Sequence, residues 1–526
     1  MNKSIYSENP VVAQLVDGEL KSSDYQILHE ADIQEVKLFS PLGKRVYRHS
    51  ICLLLSYAAA ALYPNRHLEI GHSLGDGFYF TFTDHEVTED DVERLKQKMV
   101  ETVNSDIKIE TKYVSYLEAL RLFSKPQYEL SLSLLKSRND STVKITTIDG
   151  FSFIAYEPVV THTSLLTLWE LRRYGSGMLL RYPQTRDINN IREFVDNPLL
   201  YKVFSKSREN MKILHTSSLG ELNKEIAEGN IERIITLSEA MMNRQISLIS
   251  EEIKQRGSVK AIFIAGPSSS GKTTSSLKLF RELEIIGYEP VKISLDDYYL
   301  PRNLIPRDEN GDYDYEVLEA LNLPLIQDNI TSLLEGKEVH LPYYDFKSDK
   351  RGERAEATHL KENSILIIEG IHALNPKLVP SLDRALMYKI YISCLTSICI
   401  DEHNRISTTD NRIIRRVVRD SRTRGIDPAE TLTMWPSVER GEKNHIFVYQ
   451  NNADSMINSN LAYEIAALTP YAIPLLRSIK PDKGYAYTTA RRILKFLELC
   501  YPIQAEKIPS DSVIREFIGG SIYGAI

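Results

Sequence analysis

The stretch VKAIFIAGPSSSGKTT, residues 259–274, joins a compact apolar run to a glycine-rich turn and then to a polar segment. The apolar run is typical of a strand buried on both faces of a sheet. Gly266, Gly271, Lys272 and Thr273 fit the spacing GxxxxGK[ST]. In that pattern, successive backbone N–H groups and the start of the next helix attract phosphate oxygens. The stretch therefore predicts a phosphate-binding loop between a central strand and a helix.

The residue types in this loop predict how a nucleoside triphosphate and Mg²⁺ would bind. Lys272 would reach the β and γ phosphates, and the Thr273 hydroxyl would face the metal ion. The alternative is an ordinary turn rich in glycine and serine. The predicted nucleotide-binding residues of the loop are Gly266, Pro267, Ser268, Ser269, Ser270, Gly271, Lys272, Thr273 and Thr274.

Acidic residues follow two further apolar runs. Asp296 and Asp297 end the run EPVKISL, and Glu369 ends SILII. The carboxyl ends of parallel strands line the ligand crevice of an open sheet. A carboxylate there can accept a proton from an attacking hydroxyl or bind a metal ion through water. Glu369 has the position of an acid that completes an Mg²⁺ shell. The alternative for the Asp pair is a cap on the next segment.

An arginine-rich segment, NRIIRRVVRDSRTRG, covers residues 411–425. Spacings of three and four place Arg412, Arg415 or Arg416, Arg419 and Arg422 on nearby faces of a helix. So many guanidinium groups should repel one another unless polyanions neutralise them. The segment therefore predicts a lid that stabilises charge on a transferred phosphoryl group and excludes water. The alternative is a solvated basic face.

The alternation of apolar runs with helical segments sets the fold class of the C-terminal half. EPVKISL, SILIIEG and LMYKIYIS follow the first run at intervals that leave room for helices. This alternation predicts an α/β domain whose parallel sheet has helices on both faces. Further upstream, residues 231–256 predict one long amphipathic helix, and TEDDVERLKQKMVETVN predicts a helix with Thr88 as its N-cap.

Composition excludes several classes of protein. The chain has 526 residues, enough for about three domains, and a net charge of −7. That charge argues against a protein that coats nucleic acid. The four cysteines form no CxxC pair, which argues against a disulfide scaffold or a zinc ribbon. The N-terminus shows no signal core, and the most apolar run, Ile51 to Leu62, is too short to span a bilayer. We therefore expect a cytoplasmic protein.

Residues 256–475 resemble the uridine kinase and phosphoribulokinase family of P-loop kinases. The matching stretches are GPSSSGKTT, SLDDYY, YDYEVLEALN, LEGKEVHLPYYDFKSDKR, LIIEGIHAL and NRIIRRVVRDSRTRG. The resemblance implies an ATP- and Mg²⁺-dependent phosphotransferase that acts on the 5′-hydroxyl of a nucleoside, as in pyrimidine salvage. It implies these roles: Asp296, Lys272 and Arg419 in catalysis; Asp296, Asp314, Tyr344 and Arg416 at the acceptor; Arg424 at the nucleotide; and Thr273, Glu369 and Asp296 at the metal.

The sequence departs from the uridine kinase pattern at two positions. Asp349 stands where these kinases usually carry a histidine that reads the pyrimidine edge, and Ile426 replaces an arginine after the RG of the lid. A carboxylate accepts hydrogen bonds and does not donate them, so Asp349 cannot read a carbonyl as a histidine would. The departures leave the phosphate chemistry intact and bear on base recognition.

The N-terminal part resembles a different protein, threonyl-tRNA synthetase. Residues 13–42 are similar to the end of a TGS domain. KRVYRHSICLLLSYAAAALYP and HLEIGHSLGDGFYFTF are similar to the second additional, or editing, domain. His49 is present, but Leu53 replaces the second histidine of HxxxH, and TTIDGFSFIAYEPVVTH contains no CxxxH. The resemblance therefore implies a binding or assembly module without hydrolytic activity, in which His49 is structural.

These observations predict five segments. They are a partial TGS-like domain (1–42), an inactive editing-like domain (43–185), a helical connector (186–257), the P-loop kinase domain (258–480), and a C-terminal helix and tail (481–526). Together they form a P-loop kinase preceded by an α+β synthetase-like module.

Three functions remain open on the sequence. The first is a kinase for uridine or cytidine, with the nucleoside and ATP as its partners. The second is a kinase for another small hydroxylated acceptor, such as a phosphopentose. The third is an NTP-dependent, translation-linked regulator that binds RNA through the N-terminal module, although that module shows no dense Lys/Arg stripe. No membrane partner is expected, and self-association stays open.

Overall fold

The computed structural model describes residues 9–75, 77–183, 190–308, 311, 313–345 and 350–524. The chain divides into two compact units, each built from separate segments. The first unit contains Met1–Ile231, Thr396–Asp410 and Thr469–Ile503, and the second contains Glu232–Leu395, Asn411–Leu468 and Gln504–Ile526. The five predicted domain boundaries stay a prediction.

The first unit begins with a small antiparallel sheet and a long apolar helix. The sheet has the order β2-β1-β3. Helix α1 starts where the Ser40 hydroxyl accepts a hydrogen bond from Gly43 N, and its apolar middle is buried. Five such residues in succession, Ile51, Cys52, Leu53, Leu54 and Leu55, lie inside the core of this unit. The bounds are β1 Val11–Val16, β2 Glu19–Ser22, β3 Ile33–Lys37 and α1 Pro41–Leu62.

Two more antiparallel sheets complete the α+β part of the first unit, with orders β4-β5-β10-β9 and β6-β7-β8. Thr88 caps α2 in a capping box with Asp91, which confirms the predicted N-cap. The bounds are β4 Leu68–Leu74, β5 Gly77–Phe82, α2 Glu89–Asn104, β6 Ile109–Ser115, α3 Tyr116–Leu122, α4 Glu129–Lys136, β7 Thr142–Ile148, β8 Phe151–Ile154, β9 Glu170–Tyr174, β10 Gly177–Arg181, α5 Pro198–Leu214 and α6 Leu219–Ala227.

The second unit is built on a five-stranded parallel sheet with the order β12-β15-β11-β16-β17. Every residue of β11 and of β15 is buried, as their unbroken apolar sequences predict. Helices flank this sheet, which confirms the predicted α/β class. The fifth strand, β17, was not predicted, because its four residues, SMIN, carry no periodic signal.

The elements that lie wholly or partly in the second unit follow in chain order. Their bounds are α7 Ile231–Arg256, β11 Ala261–Ala265, α8 Lys272–Ile285, β12 Glu289–Ser294, α9 Leu323–Leu334, β13 Pro342–Asp345, β14 Lys350–Glu353, β15 Ser364–Glu369, β16 Met387–Ser393, α10 Thr408–Thr423, α11 Pro428–His445, β17 Ser455–Asn458 and α12 Glu464–Arg477.

The C-terminal segment contributes to both units. Helix α13, Tyr485–Leu497, lies in the first unit, and the short helix α14, Arg515–Ile518, lies in the second. Within the described ranges, no helix combines the length and the apolar character that crossing a membrane requires.

Candidate active site

The loop after β11 has the backbone geometry of a tight cradle. Gly266 packs so closely that an added Cβ would lie 2.1 Å from the carbonyl oxygen of Ile392. Ser269 and Gly271 have φ values of 57° and 78°. Gly271 ends the turn as the N-cap of α8, and Lys272 is the first residue of that helix. The loop thus runs directly into a helix N-terminus, whose N–H groups favour anions.

Lys272 folds back over the loop that precedes it. Its Nζ donates a hydrogen bond of 3.0 Å to the carbonyl oxygen of Pro267. Burial lowers the pKa of Lys272, and the negative charges of Glu369, Asp296 and two further glutamates oppose that shift. The amine therefore lies beside the predicted phosphate-binding loop, within the electrostatic influence of four carboxylates.

Asp296 and Glu369 follow neighbouring strands. The register pairs Ser294 of β12 with Glu369 of β15, and Asp296 comes two residues after Ser294. Glu369 is buried, and the Lys292 Nζ lies 3.2 Å from its Oε2. The Asp296 side chain stays open to solvent, but the protein around it and the charge of Glu369 raise the pKa of Asp296 to about 6.

The donors in this region fit a hard divalent cation. Asp296 and Glu369 repel each other electrostatically, and Thr273 offers a hydroxyl one residue after Lys272. Such oxygen ligands are those that Mg²⁺ prefers. Among the residues that the structure describes, no three His, Cys, Asp or Glu side chains converge into a complete metal site. An ion held here would therefore take further oxygen ligands from a phosphate and from water.

Asp297 has a different environment from its neighbour. Its Oδ1 accepts a hydrogen bond of 3.2 Å from the backbone N of Tyr344, and its Oδ2 lies 3.3 Å from Arg354. These contacts tie Asp297 to the hairpin of β13 and β14. Within the described part of the chain, the carboxylate of Asp296 accepts no hydrogen bond. It is thus the member of the pair that is available to a ligand.

Two of the predicted acceptor residues, Asp314 and Tyr344, lie before and within that hairpin. The buried ring of Tyr344 stands 6.2 Å, centroid to centroid, from the ring of Tyr299. Asp314 accepts a hydrogen bond of 3.0 Å from the backbone N of Glu316. Asp297 thus links the Tyr344 backbone to the end of β12. Within the described ranges, no contact joins Asp314 to the loop after β11. Asp349 lies outside the described residues.

Two arginines of α10 hold the loop from the protein side. The Nε of Arg412 donates a hydrogen bond of 2.8 Å to the carbonyl oxygen of Ser268, and its guanidinium pairs with Glu442. Arg415 is fully buried, pairs with Glu464 and donates a hydrogen bond of 3.3 Å to the carbonyl oxygen of Ser269. Both side chains are therefore committed to protein groups.

Three further arginines of the segment gather around one buried acid. Asp420 lies 3.2 Å from Arg416, 3.4 Å from Arg419 and 3.3 Å from Arg424. Arg416 also donates a hydrogen bond of 3.1 Å to the Ser268 hydroxyl. Of the three, Arg424 is the most exposed, and its charge acts on Asp296.

The expectation that these guanidinium groups need external polyanions is wrong for Arg412 and Arg415, because Glu442 and Glu464 neutralise their charge. Arg422, predicted on the same face as Arg412 and Arg419, donates hydrogen bonds to the backbone carbonyls of Glu516 and Phe517. What is left for a ligand is the set Arg416, Arg419 and Arg424.

Sequence reasoning missed the acids that support the loop. Glu442 accepts a hydrogen bond of 2.8 Å from the backbone N of Ser268. Glu516 accepts one of 2.9 Å from the Thr274 hydroxyl and lies 3.8 Å from Arg419. Neither glutamate belongs to a motif, and each is far from the loop in the sequence, so no local pattern could have identified it.

Known proteins match two separate regions of the chain, one in its C-terminal half and one near its N-terminus. The family described as Phosphoribulokinase / Uridine kinase family matches residues 261–465. The structure of a possible uridine kinase from Bacillus stearothermophilus aligns with 41% of this chain and 97% of its own, with 16% identity and a TM-score of 0.29.

The N-terminal region matches a second group of proteins. The threonine–tRNA ligase of Francisella tularensis subsp. novicida (strain U112) is 29% identical over 167 residues. That of subsp. tularensis (strain WY96-3418) is 28% identical over the same length. The match covers 32% of this chain but only 26% of the ligase, so the chain spans about a quarter of these relatives. Residues 261–465 are thus similar to the phosphoribulokinase and uridine kinase family, and the N-terminal region is similar to threonine–tRNA ligases, which confirms both resemblances.

Proposed function

We propose that the second unit transfers the γ-phosphoryl group of ATP to the 5′-hydroxyl of a ribonucleoside, with uridine or cytidine as the acceptor. The observation that carries the proposal is the convergence of Lys272, Asp296 and Glu369 at the carboxyl edge of a parallel sheet, beside a loop with phosphate-binding geometry. Phosphoryl transfer depends mainly on such positioning and on charge stabilisation.

Each group in the site has a chemical part in this proposal. The loop N–H groups and Lys272 would hold the β and γ phosphates, and Asp296 would accept the proton of the attacking hydroxyl. Arg416, Arg419 and Arg424 would stabilise charge on the transferred group. Thr273, Glu369 and Asp296 would hold Mg²⁺, which when bound neutralises phosphate charge. Asp314 and Tyr344 would position the sugar and the base.

The acceptor is the least constrained part of the proposal. Asp349 and Ile426 favour a second candidate, a kinase that phosphorylates another small hydroxylated molecule such as a phosphopentose. A translation-linked role, binding of RNA through the N-terminal unit, self-association and a cytoplasmic location stay predictions. For the region similar to the ligases, we propose a binding or assembly role without hydrolysis.

An acceptor screen tests the proposal. The full chain is incubated with ATP labelled at the γ-phosphate, Mg²⁺ and one acceptor at a time, including uridine, cytidine and ribose 5-phosphate. Label should move to a pyrimidine nucleoside and not in the Lys272→Ala protein. Preference for ribose 5-phosphate would establish the second candidate instead, and no transfer to any hydroxyl would refute kinase function.

A further inference from the structure

A cleft in the first unit has no part in the function proposed above. It has a volume of about 460 Å³, within the range of small-molecule sites. Its walls come from β2, from β6 and β7, from the stretch 154–158 and from α13. That stretch has the sequence IAYEP and belongs to the segment TTIDGFSFIAYEPVVTH of the editing-like region, which lacks the CxxxH motif.

The acidic groups on and beside these walls already have cationic partners. Four carboxylates each contact an arginine, and Glu19 also contacts Lys21. The pairs are Glu19 with Arg491, Asp140 with Arg138, Glu157 with Arg45 and Glu498 with Arg477.

Three lysines on the walls are then left in excess. The Nζ of Lys21 lies 2.7 Å from the Oε2 of Glu19, and Arg491 contacts the same carboxylate. Lys144 and Lys495 have no carboxylate within 4 Å in the described part of the chain, although Glu157 attracts Lys495 at longer range. Burial and the charges of Lys495 and Lys21 lower the pKa of Lys144, and the charges of Asp24 and Glu19 oppose that shift. Three like charges on one cleft repel one another, and an anion between them would remove that repulsion.

The cleft also offers groups that suit the organic part of a ligand. Tyr113, Tyr156 and Tyr501 line it together with aliphatic side chains such as Leu20 and Ile154. The Tyr501 hydroxyl donates a hydrogen bond of 2.7 Å to the carbonyl oxygen of Ser137, which fixes this ring at the wall. Rings and aliphatic groups beside a cluster of amines are a combination that recognises a phosphorylated organic molecule.

We propose that this cleft binds a small molecule carrying a phosphate group, held by Lys21, Lys144 and Lys495. The compact, strongly hydrated charge of an ammonium group suits a phosphate dianion. The site belongs to the first unit, so the proposal does not depend on the reaction of the second.

Calorimetric titration of the full chain tests the proposal. All proteins carry Lys272→Ala, which weakens binding at the loop after β11. The probes are inorganic phosphate, pyrophosphate, UMP, citrate and a short single-stranded RNA. The test variant is Lys144→Gln/Lys495→Gln, the charge-conserving variant is Lys144→Arg/Lys495→Arg, and the control is Lys136→Gln, at an exposed lysine of α4.

We expect binding of one phosphate-bearing probe per chain. The double glutamine variant should bind it about a hundredfold more weakly, from about tenfold per charge-assisted hydrogen bond. The arginine variant and the control should keep most of the affinity, which also shows that the cleft is folded. Tighter binding of UMP than of inorganic phosphate and pyrophosphate would identify a nucleotide site. Tighter binding of inorganic phosphate or pyrophosphate than of UMP would identify a site for the free anion.

Several outcomes would overturn the proposal. They are equal affinity in the glutamine and control variants, saturation only at tens of millimolar, and citrate binding as tight as that of any phosphate probe. Tighter binding of the RNA than of UMP, lost in the glutamine variant, would replace the small molecule with a nucleic acid.

Discussion

The Thr274 hydroxyl donates a hydrogen bond of 2.9 Å to Glu516, so a residue near the C-terminus supports the helix that begins at the loop after β11. Glu516 is buried and lies outside the region matched to the kinase family. Its Oε1 lies 3.8 Å from Arg419, one of the predicted catalytic residues. The C-terminal segment thus contributes directly to the candidate site.

Replacement of Glu516 should weaken both the fold and nucleotide binding. Glu516→Ala leaves the buried Thr274 hydroxyl without its acceptor, which costs about 1–3 kcal/mol. Thermal denaturation and ATP titration should both show the loss, with Glu506→Ala, at an exposed position of the same segment, as the control. If Glu516→Ala behaves like the control, the contact has no part in the site.

Removal of the Lys272 amine should abolish phosphoryl transfer. The amine lies on the loop and would neutralise charge that develops on the phosphates, so Lys272→Ala should lower kcat by about a hundredfold or more. Steady-state kinetics measure the effect, and Lys337→Ala, which removes an exposed lysine that pairs with Glu335, is the control. Activity close to that of Lys337→Ala would show that the phosphates bind elsewhere.

The two aspartates at the end of β12 should respond differently to the same substitution. Asp296→Asn should abolish transfer with little change in melting temperature, because no described residue donates a hydrogen bond to this carboxylate. Asp297→Asn should lower the melting temperature, because Asp297 holds the Tyr344 backbone and Arg354. Turnover retained in Asp296→Asn would make Asp297 the better candidate for the base.

The loop and the main strands could be predicted because their signals are local. The spacing of Gly266, Gly271, Lys272 and Thr273 is typical of a phosphate-binding loop. The strand that precedes the loop is an unbroken apolar sequence. β17 carries only four residues, so its place in the sheet follows from pairing with β16 and not from its own sequence.

The arginine-rich helix shows where sequence reasoning fails. A count of guanidinium groups predicted a lid for a polyanion, yet Arg412 and Arg415 pair with Glu442 and Glu464, which lie 30 and 49 residues further along the chain. Which arginines are neutralised depends on which acids the tertiary fold brings to α10, and the local sequence does not contain that information. The sequence therefore predicted these arginines as one group and could not separate those that support the loop from those left for a ligand.

The buried pair of Arg415 and Glu464 should matter more for stability than for chemistry. Both side chains are fully buried, so Glu464→Gln leaves an uncompensated guanidinium and should destabilise the second unit by about 3–5 kcal/mol. Urea denaturation measures this change. Arg415→Met/Glu464→Leu removes both charges and should lose less stability than the single variant. A double variant as unstable as Glu464→Gln would show that shape, not charge, is what the site requires.

His49 provides a prediction for the first unit as a function of pH. Burial, opposed by Glu157 and assisted by Arg45, lowers the pKa of His49 from 6.5 to about 4. The unfolded chain therefore takes up this proton at a higher pH than the folded chain does, and folding stability must fall as pH drops from 6.5 towards 4. His49→Gln removes this titration, so its melting temperature should fall less than that of the unmodified protein over this range. The exposed His29→Gln should follow the unmodified protein. Parallel curves for all three proteins would mean that His49 is as readily protonated in the folded state as in the unfolded one, and its assignment as a neutral structural histidine would be wrong.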